Sequence, residues 1–131
     1  MTGVDGRVRL AVLERFAARG EAPSAAAVAT AIGEDADTVA QAYSRLADDH
    51  VLVLRPGTRE IWMAHPFSAV PTGFRVATDR GSSYANCIWD ALGIPAMLAA
   101  DARIETTCPD CGEPLELAVP AARWWDDIGH T

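Results

Sequence analysis

The sequence contains no lysine. All 11 of its basic residues are arginine, against 18 acidic ones, and the formal net charge is −7. Affinity for DNA comes largely from neutralising phosphates, so a chain of pI about 4.8 starts at a disadvantage as a nucleic-acid reader unless a local patch compensates. Long apolar runs are missing too: none approaches membrane-spanning length, and Met1-Thr2-Gly3-Val4-Asp5-Gly6-Arg7 lacks the apolar core of a secretion signal. The expectation is a cytoplasmic protein that makes no membrane contact. Cysteine is scarce and odd in number. The three residues, Cys87, Cys108 and Cys111, argue against a disulfide framework and for reduced thiols or metal ligands.

What is present is a globular composition, half of it apolar, over 131 residues. That length supports one ordinary domain or two very small parts sharing a core. The pattern divides near residue 65, giving an N-terminal part at 1–65 and a second part at 66–131. In the first, Arg7–Arg19 has Val8, Val12, Leu13 and Phe16 at helical spacing, stopped by Gly20. Ser24 is a plausible cap for a short helix over Ala25–Ile32, which Gly33 ends. Asp35 or Asp37 caps a third helix, about Thr38–Asp49, with Val39, Ala42, Tyr43 and Leu46 on its apolar face. Val51–Leu54 and Glu60–Ala64 read as two strands of a hairpin. Three helices followed by a hairpin is the order of a winged helix-turn-helix. The charge on the third helix favours a scaffold over a DNA reader: Arg45 stands against Asp37, Asp48 and Asp49, and only Arg55 and Arg59 remain in the wing for phosphate contacts.

In the second part, His65–Pro71 reads as a linker, with two prolines excluding regular structure and Phe67 and Phe74 anchoring it to the core. Gly73–Ala77 reads as a short strand and Asp79–Ser83 as a turn in which Ser82 or Ser83 caps a following helix over Tyr84–Leu92. Gly93 and Pro95 then break that helix, and a second piece covers Ala96–Ala100. Arg103–Thr107 and Leu115–Val119 read as strands.

The stretch with the most chemistry is Tyr84-Ala85-Asn86-Cys87-Ile88-Trp89-Asp90. Helical spacing puts the Cys87 thiol and the Asp90 carboxyl on one face, within reach of a common ligand. An early helical position also favours the thiolate, because unpaired backbone N–H groups face it. The alternative is ordinary: a free cysteine is often a small buried hydrophobe, and an aspartate in a first turn is often a solvated cap. The second motif is Cys108-Pro109-Asp110-Cys111-Gly112, a knuckle that can aim two sulfurs at one Zn2+. The ligand count disfavours zinc: four ligands are needed, no second such pair exists, and only His65 or His130 could complete the set. A tight hairpin turn with two reduced cysteines remains the other reading.

These residues resemble the organomercurial (alkylmercury) lyase family. The resemblance is carried by Tyr84-Ala85, Cys87, Trp89-Asp90, Leu92-Gly93-Ile94-Pro95-Ala96 and the strand pair around Cys108. His65-Pro66-Phe67-Ser68-Ala69-Val70-Pro71-Thr72 and Phe74-Arg75-Val76 add to it. It runs from about Val8 to the end. It implies an α+β fold, in which a winged-helix-like N-terminal part that does not read DNA precedes a small helix and β-hairpin part. It also implies protonolysis of carbon–mercury bonds, with Cys87 as thiolate, Asp90 as proton donor, mercury as the substrate's metal and no required cofactor. By the same resemblance Cys108 is structural and Cys111 is additional. The family carries a second catalytic cysteine beyond the stretch that matches Ala121–Thr131. The sequence holds none there, so impaired turnover is the expectation unless Cys108, Cys111 or a companion chain supplies a thiolate. Trp124 and Trp125 suggest packing on a core, a homodimer partner or a companion chain. Two other classes stay open: a non-catalytic thiol module for organomercurials or other soft metals, and a winged-helix metal-responsive regulator.

Overall fold

The computed structural model describes residues 3–121. Three helices open the chain: α1 (Gly3–Arg19), α2 (Ala25–Ile32) and α3 (Ala36–Asp48). Their limits follow from local chemistry. Ser24 accepts the Ala27 N–H at 3.1 Å as an N-cap, and Gly33 closes α2 in the left-handed region at φ 72°, as expected of a residue without a Cβ. Asp35 stands at the start of α3 without a side-chain cap bond. The apolar stripes Val8, Val12, Phe16 and Val39, Ala42, Tyr43, Leu46 are buried where the helices meet. Asp5 of α1, nearly fully buried, receives Arg45 of α3 through both Nε and Nη2, at 2.8 to 3.2 Å.

Seven strands follow: β1 (Leu52–Leu54), β2 (Ile61–Ala64), β3 (Phe67–Ser68), β4 (Arg75–Thr78), β5 (Gly81–Ala85), β6 (Ala102–Thr107) and β7 (Pro114–Val119). The helix α4 (Ile88–Leu98) lies between β5 and β6. All pairings are antiparallel, in the order β1-β2-β3-β5-β4-β6-β7. The fold is α+β, and the wing and the second part share one sheet. The core is likewise continuous: Phe16 of α1 stacks on Phe67 of β3 at 5.4 Å between ring centroids, with the planes 1° apart.

Four sequence expectations are corrected. The stretch 65–71 is not a linker without regular structure. Phe67 and Ser68 form β3 and join the wing to the second part, because Pro66 and Pro71 flank the two paired residues and neither sits in the ladder. Tyr84 and Ala85 are strand, not helix, and Ser82 and Ser83 pair with Ala77 and Val76 rather than capping anything. The inward positions of β5 are Ser83 and Ala85, so the strand shows no apolar alternation. Small residues suit that face because the end of α1 comes so close. A Cβ on Gly20 would meet the Ser82 carbonyl oxygen, and one on Gly81 would meet the carbonyl oxygens of Ala17 and Ala18. Finally, Gly93 and Pro95 do not break α4. The proline ring removes the bond to the Ala91 carbonyl, a cost of about 3 kcal/mol. Ala91, Ile94 and Pro95 form the buried stripe of α4, however, and that burial offsets the loss. The helix ends at Ala99, in the left-handed region at φ 50°, whose N–H turns back to Pro95 and Ala96.

Phe74 packs against the core from a half-buried position, while Trp62 is half-buried outside the central cluster. Among the described residues no helix is long and apolar enough to cross a membrane.

Candidate functional site

The site begins where β5 gives way to α4. Cys87 is the N-cap of α4, in extended conformation (φ −155°, ψ 178°), and its carbonyl accepts the first helical bond, from Ala91 N–H at 2.9 Å. Asp90 is then the third residue of the helix. Cap and third residue are the two positions of a capping box, whose side chains share the mouth of a helix. Here the cap is a thiol that makes no cap hydrogen bond, so its sulfur is not committed to the backbone. Cys87 thus stands just before the helix rather than in its first turn as the spacing predicted. The unpaired N–H groups of the first turn still lie on its side.

Two residues that the sequence reading did not join to this pair complete the surroundings. His65 leaves β2 next to Asp90, with Nδ1 3.7 Å from Asp90 Oδ2. Asn86 Nδ2 donates to the Phe67 carbonyl at 3.2 Å and lies 3.5 Å from the same His65 nitrogen. The histidine tautomer decides between these neighbours. With a proton on Nδ1, His65 faces Asp90 as a donor. Without one, the nitrogen can only accept, and Asn86 Nδ2 is the donor beside it. Asn86 Oδ1 is buried and has no partner, an acceptor next in sequence to the thiol. The signal for His65 lies in register rather than in sequence spacing: Ala64 pairs with Phe67, and Phe67 with Ala85, so the residues after β2 and β5 meet.

The site is open on one side. Cys87 is half-buried, the Asp90 side chain is 26% exposed and Trp89 is 78% exposed. A hollow of about 620 Å3 lies at the other end of β4, β6 and β7, around Ala77, Asp101, Arg103 and Ala118, and includes neither Cys87 nor Asp90.

Cys108 and Cys111 occupy the turn between β6 and β7. The backbone N–H groups of Cys111 and Asp110, and the Cys111 thiol, hold the Cys108 thiol below its ordinary range. All three cysteines are free thiols. Among the described residues, no three of His, Cys, Asp and Glu come together as a metal site, so Cys87 and the knuckle are separate places on the surface. His130 and the Trp124–Trp125 pair lie outside the described residues. On the DNA side, the basic residue of α3, Arg45, is engaged with Asp5, and Arg55 of the wing lies 3.9 Å from Glu60.

Comparison with known proteins bears on the fold. The alkylmercury lyase (MerB) family model matches residues 67–126, the span that contains Cys87, Asp90 and the knuckle. Among solved structures, the chain is similar to the mercury-bound form of MerB2, with a TM-score of 0.68 and 22% identity over 92% of this chain. The chain spans 58% of the length of that protein. No curated protein sequence matches it.

Proposed function

From the match of residues 67–126 to the alkylmercury lyase family model, we propose that this chain binds organomercurials through Cys87 and cleaves their carbon–mercury bond with a proton from Asp90. The observation that carries the reading is the position of the two residues at the mouth of α4, as its N-cap and third residue. A thiolate suits mercury because both are soft. The Cys87 sulfur binds mercury in place of the organomercurial's anionic ligand, its thiol proton passing to the Asp90 carboxylate, and raises electron density on the attached carbon. Asp90 then hands that proton to the carbon. The carbon–mercury bond breaks with its electron pair on carbon, hydrocarbon leaves, and Hg2+ stays on sulfur. His65, 3.7 Å from Asp90, is placed to orient the carboxyl. Release requires further thiolates, which small cellular thiols can supply. The reducing cytoplasm is the setting in which three unpaired cysteines and such thiols persist.

A second thiolate on mercury speeds cleavage, and Cys108 and Cys111 do not join Cys87 in one cluster. Turnover by this chain alone is therefore expected to be slow, unless a companion chain donates a cysteine. The test is incubation with an organomercurial and excess thiol while released hydrocarbon is measured. Release that depends on both Cys87 and Asp90 supports the reading. Stoichiometric mercury binding with no release would instead make the chain a thiol-based binding module.

A further inference from the structure

We propose that Cys108 and Cys111 form a second site, separate from Cys87: a two-thiolate chelate for a soft, two-coordinate cation such as Hg2+. The proposal does not depend on the cleavage reading.

The turn is built for this. Cys108 N–H donates to the Glu113 carbonyl at 2.8 Å, closing the end of the β6–β7 ladder, and Gly112 N–H donates back to the Cys108 carbonyl at 2.9 Å. Gly112 has φ 72°, a backbone state open to a residue without a side chain. This fold-back keeps Cys108 and Cys111 on one tight turn at the end of the β6–β7 ladder. Two cysteines three residues apart on one tight turn make half of a tetrahedral zinc site.

The missing half decides which metal fits. Zinc requires four ligands, and among the described residues no third His, Cys, Asp or Glu joins the pair. A soft ion that is satisfied by two thiolates loses nothing by that shortage. Access is open, since Cys111 is exposed and Cys108 half-buried. The register also places the knuckle well. Tyr84 pairs with Arg75 and Arg75 with Glu105, and three residues beyond Tyr84 and Glu105 stand Cys87 and Cys108. Both therefore leave the sheet at the same rim with β4 between them, a lateral separation of about 10 Å from the usual strand spacing. Loading the chelate is a ligand substitution: two sulfur–mercury bonds form, mercury's two former ligands leave, the two thiol protons pass to them or to solvent, and no electrons are transferred.

The experiment uses the full chain with Cys87→Ser, so that the first site is removed. One equivalent of mercuric chloride is added under excess monothiol, the protein is desalted, and retained mercury is counted. Because two linked thiolates act at high effective concentration, retention of about one ion per chain is expected. In the same background Cys111→Ser should lower retention at least about tenfold. Equal retention with and without Cys111 would overturn the proposal, as would no retention by Cys87→Ser. A second measurement on the unaltered protein guards against misfolded variants. Bound Hg2+ should shield both Cys108 and Cys111 from iodoacetamide in peptide maps, and labelling of either at its metal-free rate would overturn the site. A failure here leaves hydrocarbon release by Cys87 and Asp90 untouched, so the two readings fall separately.

Discussion

Asp90→Asn keeps the size of the side chain but has no proton to give. Holding mercury needs sulfur alone, so this variant should retain Hg2+ binding while hydrocarbon release falls by about a hundredfold or more, the scale of general-acid catalysis. Cys87→Ser should lose both binding at that site and release, because a hydroxyl is a poor ligand for a soft metal. Equal release by wild type and Asp90→Asn, measured by gas chromatography, would remove the acid from the proposal. His65 separates orientation from chemistry. His65→Leu should lower release on the order of tenfold without changing mercury binding, the loss expected of one polar contact. His65→Asn, which keeps a donor near the Nδ1 position, should recover part of the loss, and an unchanged rate in His65→Leu would make the histidine a bystander. The three-residue spacing of Cys87 and Asp90 was legible in the sequence, but the start of the helix was not: it was expected at Tyr84 and lies after Cys87. Their neighbour His65 was not legible either, because its position depends on two strand registers and on β3, a strand of two residues.

The elements divide in the same way. The three N-terminal helices and the wing were legible to within a few residues because their apolar periods and caps are strong, as with Ser24 and Gly33 around α2. Strand β5 was not legible, because its inward face is Ser83 and Ala85 and carries no apolar contrast. The continuity of α4 was hidden by Pro95, whose burial outweighs the bond it removes. The closeness of α1 to β5 makes a prediction at this scale. Gly81 has φ 148°, a region in which other residues are strained, and a Cβ there would meet the carbonyls of Ala17 and Ala18. Gly81→Ala should therefore cost on the order of 3 kcal/mol of stability, read as a lower urea midpoint with the slope unchanged. A shift within about 0.5 kcal/mol, the usual range for surface changes, would mean that helix and strand move apart freely.

For the whole molecule, charge and connectivity set the expectations. A net charge of −7, with Arg45 turned to Asp5, leaves α3 poorly equipped to meet phosphate. The strands of the wing serve as one edge of the common sheet. That sheet passes from β2 through β3 to β5, and the stacked pair Phe16–Phe67 lies where the three-helix part meets it. Neither part can leave the other without exposing Phe67, which is fully buried. Residues 3–121 should therefore unfold as one cooperative unit, with far-ultraviolet circular dichroism and tryptophan fluorescence giving the same urea midpoint. Phe67→Ala should remove about 3–5 kcal/mol, a large share of the roughly 5–15 kcal/mol that holds such a domain, and should move both probes together. If the helical signal kept its midpoint while the fluorescence midpoint shifted, the helices and the sheet would unfold independently. The Cys87–Asp90 site would then have lost its anchor, because the histidine facing Asp90 directly follows the wing strand β2 and reaches it only while β3 joins the two parts.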